Sequence, residues 1–146
     1  MFRGNHPTRV DDKGRLKVPA DHKRVIDEKY NTKFYITSQD GRVAQLYPLE
    51  EWERVEQKLL ALPSMHPARK KYLDRANYYG QQVEMDAQGR LLLPQLLREA
   101  ADLKAEVAVM GSLTYLEVRN HDALRQDMEQ NPLTEDEMKT LSDLGL

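Results

Sequence analysis

Val10-Asp11-Asp12-Lys13-Gly14-Arg15-Leu16-Lys17-Val18-Pro19 returns later in the chain as Met85-Asp86-Ala87-Gln88-Gly89-Arg90-Leu91-Leu92-Leu93-Pro94. Asp11 matches Asp86, Gly14 matches Gly89, Arg15 matches Arg90 and Pro19 matches Pro94, each pair 75 residues apart. A repeat at fixed offset sets the architecture before any single element is read. The Asp carboxylate can accept backbone N–H groups two or three residues on, and Gly supplies the positive φ of a tight reversal. Asp11 and Asp86 therefore read as turn-formers together with Gly14 and Gly89, not as catalytic carboxylates. Beyond the turn, strand alternation puts Leu16 and Val18 on one face and Arg15 and Lys17 on the other. In the second copy Leu91 and Leu93 face the core, with Arg90 and Leu92 opposite. Pro19 and Pro94 then open helices, where their missing N–H is harmless. Each unit reads strand, tight turn, strand, helix.

Working outward, residues 1–9 read as a basic arm, 9–18 as the first hairpin and Pro19 to Tyr30 as a helix. Lys33–Thr37 and Arg42–Tyr47 are expected strands around Gln39-Asp40-Gly41. Leu49, Trp52, Val55, Leu59 and Leu60 recur at helical spacing. A second helix spans Ala68 to Tyr79 with Gly80 as its C-cap. The second unit predicts a hairpin over 82–93 and a helix from Pro94 to Leu103. Strands at Glu106–Met110 and Tyr115–Val118 flank a Gly111-Ser112 turn. A short helix at 121–129 precedes one opened by the capping-box residues Thr134-Glu135-Asp136-Glu137. That last helix, with Met138, Leu141 and Leu144 as its stripe, has no expected counterpart in the first half. A single four-strand unit has bare edges and too little core to stand alone, so the two copies are expected to pair with interleaved hairpins.

Asp-x-x-Gly-Arg followed by a strand and Pro resembles the AbrB/SpoVT-type swapped-hairpin DNA-binding module. Two tandem copies, the opening Met1-Phe2-Arg3-Gly4, the Leu46-Tyr47-Pro48-Leu49-Glu50-Glu51-Trp52 segment and the Met65 region together resemble the MraZ family. The resemblance runs from Met1 to about Asn120. It implies an α+β fold, mainly β, of two pseudo-symmetric AbrB/SpoVT-like units that form one interleaved β-barrel with a C-terminal helix. The units are placed at 5–54 and 81–124, with a helical connection at 55–80 and an acidic helical tail at 125–146. It also implies a ring-like homo-oligomer. That assembly would bind short direct repeats in promoter DNA and repress the division and cell-wall gene cluster, its own operon included.

Charge distribution agrees with a nucleic-acid partner even though the formal net charge is only −2. Residues 1–24 carry seven Lys and Arg against three Asp, whereas residues 122–146 carry two against seven carboxylates. Two such poles steer a polyanion onto one face. Arg15 is the central candidate: an arginine leaving a rigid turn can reach phosphate or a guanine edge. Lys13, Lys17, Arg9 and Arg3 surround it in sequence. Arg90 is its counterpart, in a copy where Gln88 and Leu92 replace Lys13 and Lys17. The opposing reading is that each arginine pairs with the Asp of its own motif.

The remaining chemistry is sparse. There is no Cys, and His6, His22, His66 and His121 share no metal-ligand spacing. No catalytic residue, metal or cofactor is expected, and no phosphate-binding glycine loop or nucleophile elbow occurs. Trp52, Tyr72 and Tyr79 read as core or subunit interface. Gly111-Ser112 is the one place where a pyruvoyl-type self-cleavage would start. No apolar run is long enough for a membrane span. The N-terminus lacks the apolar run of a secretory signal. A cytoplasmic, nucleoid-associated protein without a small-molecule substrate is expected. The alternative is an oligomerising or antitoxin-like interaction scaffold.

Overall fold

Both turns form as their residues dictate in the computed structural model, which describes residues 1–146. Asp11 Oδ1 accepts the N–H groups of Lys13 and Arg15 at 3.0 and 2.9 Å, and Gly14 sits at φ +82°. Asp86 Oδ1 accepts those of Gln88 and Arg90 at 2.9 Å each, with Gly89 at +75°. The strands are β1 (Asn5–Val10), β2 (Arg15–Lys17), β3 (Lys33–Thr37), β4 (Ala44–Pro48), β5 (Gln81–Glu84), β6 (Arg90–Leu92), β7 (Ala105–Ser112) and β8 (Tyr115–Asn120). The helices are α1 (Ala20–Lys29), α2 (Leu49–Leu60), α3 (Pro67–Tyr78), α4 (Gln95–Ala100), α5 (His121–Gln130) and α6 (Glu135–Ser142).

All eight strands join one antiparallel sheet in the order β5-β3-β4-β8-β7-β1-β2-β6. The backbone bond from Asp86 N–H to Arg90 O brings its two ends, β5 and β6, together, so the sheet is a nearly closed barrel. The α+β, interleaved-barrel expectation holds. Exchanging each strand for its repeat mate leaves the cyclic order unchanged, which is the signature of a pseudo-twofold axis. Leu16 pairs with Leu91, its own counterpart, so the axis passes through that pair. Counting back from the helix starts at Leu49 and His121, Gln45 and Glu117 are also counterparts, and they too face each other. Leu16, Leu91, Phe34, Ile36, Leu46, Val107, Val109 and Leu116 are fully buried within the barrel core.

Several local expectations need correction. Residues 1–9 are not a free arm: β1 pairs with β7 along its whole length, and Phe2 is buried against Tyr30 and His22. The 82–93 segment is a turn whose two strands part, β5 to β3 and β6 to β2. The strand after Asp40 begins at Ala44, because Asp40 Oδ1 holds the N–H groups of Arg42 and Val43 in the loop. Helix α4 stops at Ala100, since Asp102 takes a left-handed φ of 52° and Leu103 N–H closes on Arg98 O. Gly80 is not a left-handed cap; a Cβ there would lie 2.1 Å from both Ala76 O and the Tyr35 hydroxyl. Gly111 and Ser112 lie inside β7, paired with Leu116 and Tyr115, and the reversal falls at Leu113-Thr114. Finally, α5 and α6 follow β8 as α2 and α3 follow β4, so the tail does have a counterpart in the first half.

Candidate nucleic-acid interface

Antiparallel pairing of β2 with β6 sets Arg15 opposite Leu92 and Lys17 opposite Arg90. Leu16 and Leu91 fill the core between them, so these four neighbours line the outer face of the barrel. Alternation also turns Arg9 of β1 outward, since Val10 beside it is buried and pairs with Leu16. Lys13 is exposed within the first turn. One surface therefore collects Arg9, Lys13, Arg15, Lys17 and Arg90 from both repeats. Arg3 is not among them. It lies before the opposite end of β1, roughly 20 Å from Arg9 at about 3.3 Å per residue.

Each motif arginine is held in the same way. Arg15 Nε donates to Asp11 Oδ2 at 2.8 Å, and Arg90 Nε donates to Asp86 Oδ2 at 2.8 Å. The terminal guanidinium nitrogens make no hydrogen bond within the chain. Pairing with the motif Asp thus fixes the fork without consuming it. Backbone N–H donation from Arg15 and Arg90, then the arginine side chains themselves, hold both Asp carboxyls below their usual 3.8. They stay ionised and cancel part of the basic field, as exposed Asp12 also does.

Two further cations join the surface that sequence reasoning passed over. The Arg98 guanidinium lies directly over Gly14, where a Cβ would meet it at 2.3 Å, and its Nε donates to Leu93 O at 3.0 Å. Lys23 covers Gly89 from the other side, 3.1 Å from where a Cβ would be. These residues are themselves 75 apart, so the repeat offset was the signal that identifies them. Backbone bonds from Leu93 N–H to Gly14 O and from Val18 N–H to Gly89 O, both 2.9 Å, tie each turn to the other repeat. Lys17 Nζ adds a bond to Gln88 O.

A family model described as "MraZ protein, putative antitoxin-like" matches residues 1–75 and 80–143. The chain belongs to the MraZ family. A relative from Acidobacterium capsulatum, named "Transcriptional regulator MraZ", is 64% identical over 146 residues and the full length of both chains. One from Koribacter versatilis under the same name is 63% identical over 147 residues, again full length in both. A Haemophilus influenzae relative so named is 35% identical over 152 residues with both chains fully covered.

The other candidate features of this MraZ-family chain are structural. Trp52 stacks on Tyr35 at 4.6 Å and lies edge-on to Tyr47 at 5.2 Å, docking α2 against β3 and β4. Tyr72 of α3 lies over the same indole at 6.5 Å. Burial pushes the Tyr47 and Tyr72 phenols up, so both stay neutral. No three His, Asp or Glu side chains converge as metal ligands. No helix is long and apolar enough to cross a membrane.

Proposed function

We propose that this chain is a sequence-specific DNA-binding transcriptional regulator. It represses the division and cell-wall gene cluster, including its own operon, and binds short direct repeats as a ring-like homo-oligomer in the nucleoid. The observation that carries the reading is the joint presentation of Arg15, Lys17 and Arg90 on one outer face, with both arginine forks free. The naming of its relatives as transcriptional regulators supports it. Phosphate contacts from Lys13, Lys17 and Arg9 supply affinity, and the oriented guanidiniums of Arg15 and Arg90 read base edges. Several copies on successive repeats gain affinity through effective concentration.

The test is binding of the protein to DNA from upstream of its own gene, against random DNA, across a salt series. Wild type should prefer the upstream fragment, with log K falling steeply against log salt. Arg15→Ala and Arg90→Ala should each weaken binding and relax the preference for the upstream fragment, whereas Lys13→Ala should weaken binding to both fragments and flatten the slope by about one unit. Equal affinity for both fragments, or unchanged binding by Arg15→Ala, would overturn the assignment. The second reading, an antitoxin-like interaction scaffold, draws on the family description and on the exposed tail helix. DNA binding that ignores salt, or none, would favour it.

A further inference from the structure

We infer that α6 of one copy seats its apolar stripe in the cleft between α2 and α3 of a second copy, joining copies head to tail. The inference rests on the homo-oligomer reading above and names its contact surfaces.

In repeat one α3 is docked: Tyr35 and Thr37 hydroxyls both donate to Ala76 O, at 3.1 and 2.8 Å, and Tyr72 lies over Trp52. Helix α6 is its counterpart, yet no residue of α6 is buried. The sequence supplies the reason. Phe34 pairs with Val83 and Val107 pairs with Thr8, one repeat from Val83, so β7 follows β3 at an offset of 73. Ala108 and Met110 thus stand where repeat one has Tyr35 and Thr37. By the helix-start offset, Arg119 and Leu124 stand for Tyr47 and Trp52. The aromatic shelf and both hydroxyl donors are missing. Arg119 instead bonds Glu117 and Asp127 at 3.0 Å each. Helix α6 has none of these anchors in repeat two: Leu141 is half-buried, while Met138 and Leu144 stay 49% and 74% exposed.

The matching surface is on repeat one. A cleft of about 280 Å³ opens between α2 and α3, lined by Leu59, Leu60 and Leu73 together with Glu56, Gln57 and Arg69. Leu60 is 60% exposed there. Helix α3 carries Arg69, Lys70, Lys71 and Arg75 against a single Asp74, whereas α6 opens on Glu135, Asp136 and Glu137. An acidic amphipathic helix thus meets an apolar cleft whose α3 wall is basic. Donor and acceptor lie on different repeats, so the contact is heterologous and propagates from copy to copy until the rotation closes a ring.

Sedimentation of two surface variants of the full chain tests this. Leu60→Glu spoils the cleft but keeps the tail; Met138→Glu/Leu144→Glu spoils the tail but keeps the cleft. All three side chains are solvent-exposed in the single copy, so each variant should keep the wild-type far-UV circular dichroism. Wild type should sediment as a multiple of 17.0 kDa and each variant as a monomer of 17.0 kDa. An equimolar mixture of the two should give a species of two copies and nothing larger, because only one tail–cleft contact can form. Variants that keep the wild-type assembly, or a mixture that stays monomeric, would overturn the inference and leave the oligomer reading standing. A wild type that is monomeric at every concentration would sink both.

Discussion

Asp11 and Asp86 divide their labour by oxygen: Oδ1 closes the turn and Oδ2 aims the arginine. Both carboxyls titrate below 3.8 when folded. A depressed carboxyl contributes stability that is present above the unfolded value and lost as pH falls through the folded one. Acid titration followed by circular dichroism should therefore show a loss below pH 3.8 that Asp11→Asn/Asp86→Asn flattens. His22 gives an earlier step. It is buried beside His6 and Phe2, with Nε2 3.3 Å from Val109 O, and desolvation lowers its pKa from 6.5. The unfolded chain binds that proton first, so melting temperature should decline as pH drops below 6.5, and His22→Gln should remove the decline. At this scale the sequence was legible for Asp and Gly, whose roles are set within five residues. It left Arg15 between an Asp partner and a DNA partner. The structure shows Nε doing the first and leaves the terminal nitrogens without a bond in the chain. The burial of His22 was not legible, because nothing local shows that β7 passes over it.

Turn, strand and helix interlock around Gly14. A Cβ there would meet the Arg98 guanidinium at 2.3 Å, while at Gly89 the nearest atom of Lys23 is 3.1 Å away. Both positions also carry the left-handed backbone cost of roughly 1–2 kcal/mol for a non-glycine residue. Urea denaturation should thus find Gly14→Ala and Gly89→Ala both destabilising through backbone strain, and only the former should displace the flexible Arg98 guanidinium. Leu16→Ala opens the core at the axis and should cost about 2–5 kcal/mol. Elements with their own local code were readable: β3 runs over Lys33–Thr37 as expected, and α6 opens on its capping box. The partners of β5 and β6 were not, because the Asp86 turn has the same local bonds whether its strands pair with each other or with the neighbouring repeat. Lys23 and Arg98 were missed for a related reason. Each acts on the other repeat's turn, 66 and 84 residues away along the chain.

Across the whole molecule, every long ladder except β3–β4 and β7–β8 joins one repeat to the other. Residues 1–66 expressed alone should show no cooperative thermal melt as a monomer, since β1 and β2 lose their main partners and β3 and β4 each lose one neighbour. Recovery of native circular dichroism on mixing with residues 67–146 would confirm mutual dependence; a stable isolated half would refute it. The doubled motif made this architecture foreseeable, because four bare strands cannot close. The divergence of the second repeat was harder to foresee. Leu92 for Lys17 is visible in the repeat itself, but Arg119 for Tyr47 lies outside the doubled motif and shows only when the axis superposes the two.

The pairing of β1 with β7 also fixes when the protein can fold. Asn5 meets Met110 and Val10 meets Ala105, so beyond its single Val10–Leu16 pair with β2 the first strand has no ladder partner until the ribosome has made the chain past residue 112. At roughly 5–20 residues per second, those intervening hundred residues take about 5–20 s. Throughout that interval the nascent chain displays the Leu16 hairpin with its apolar face uncovered. Leu16 lies on the repeat axis opposite its own counterpart Leu91, so the same hairpin on a neighbouring nascent chain is a stand-in for the missing second one, and crowding of ribosomes on one message raises the risk of exchange between chains.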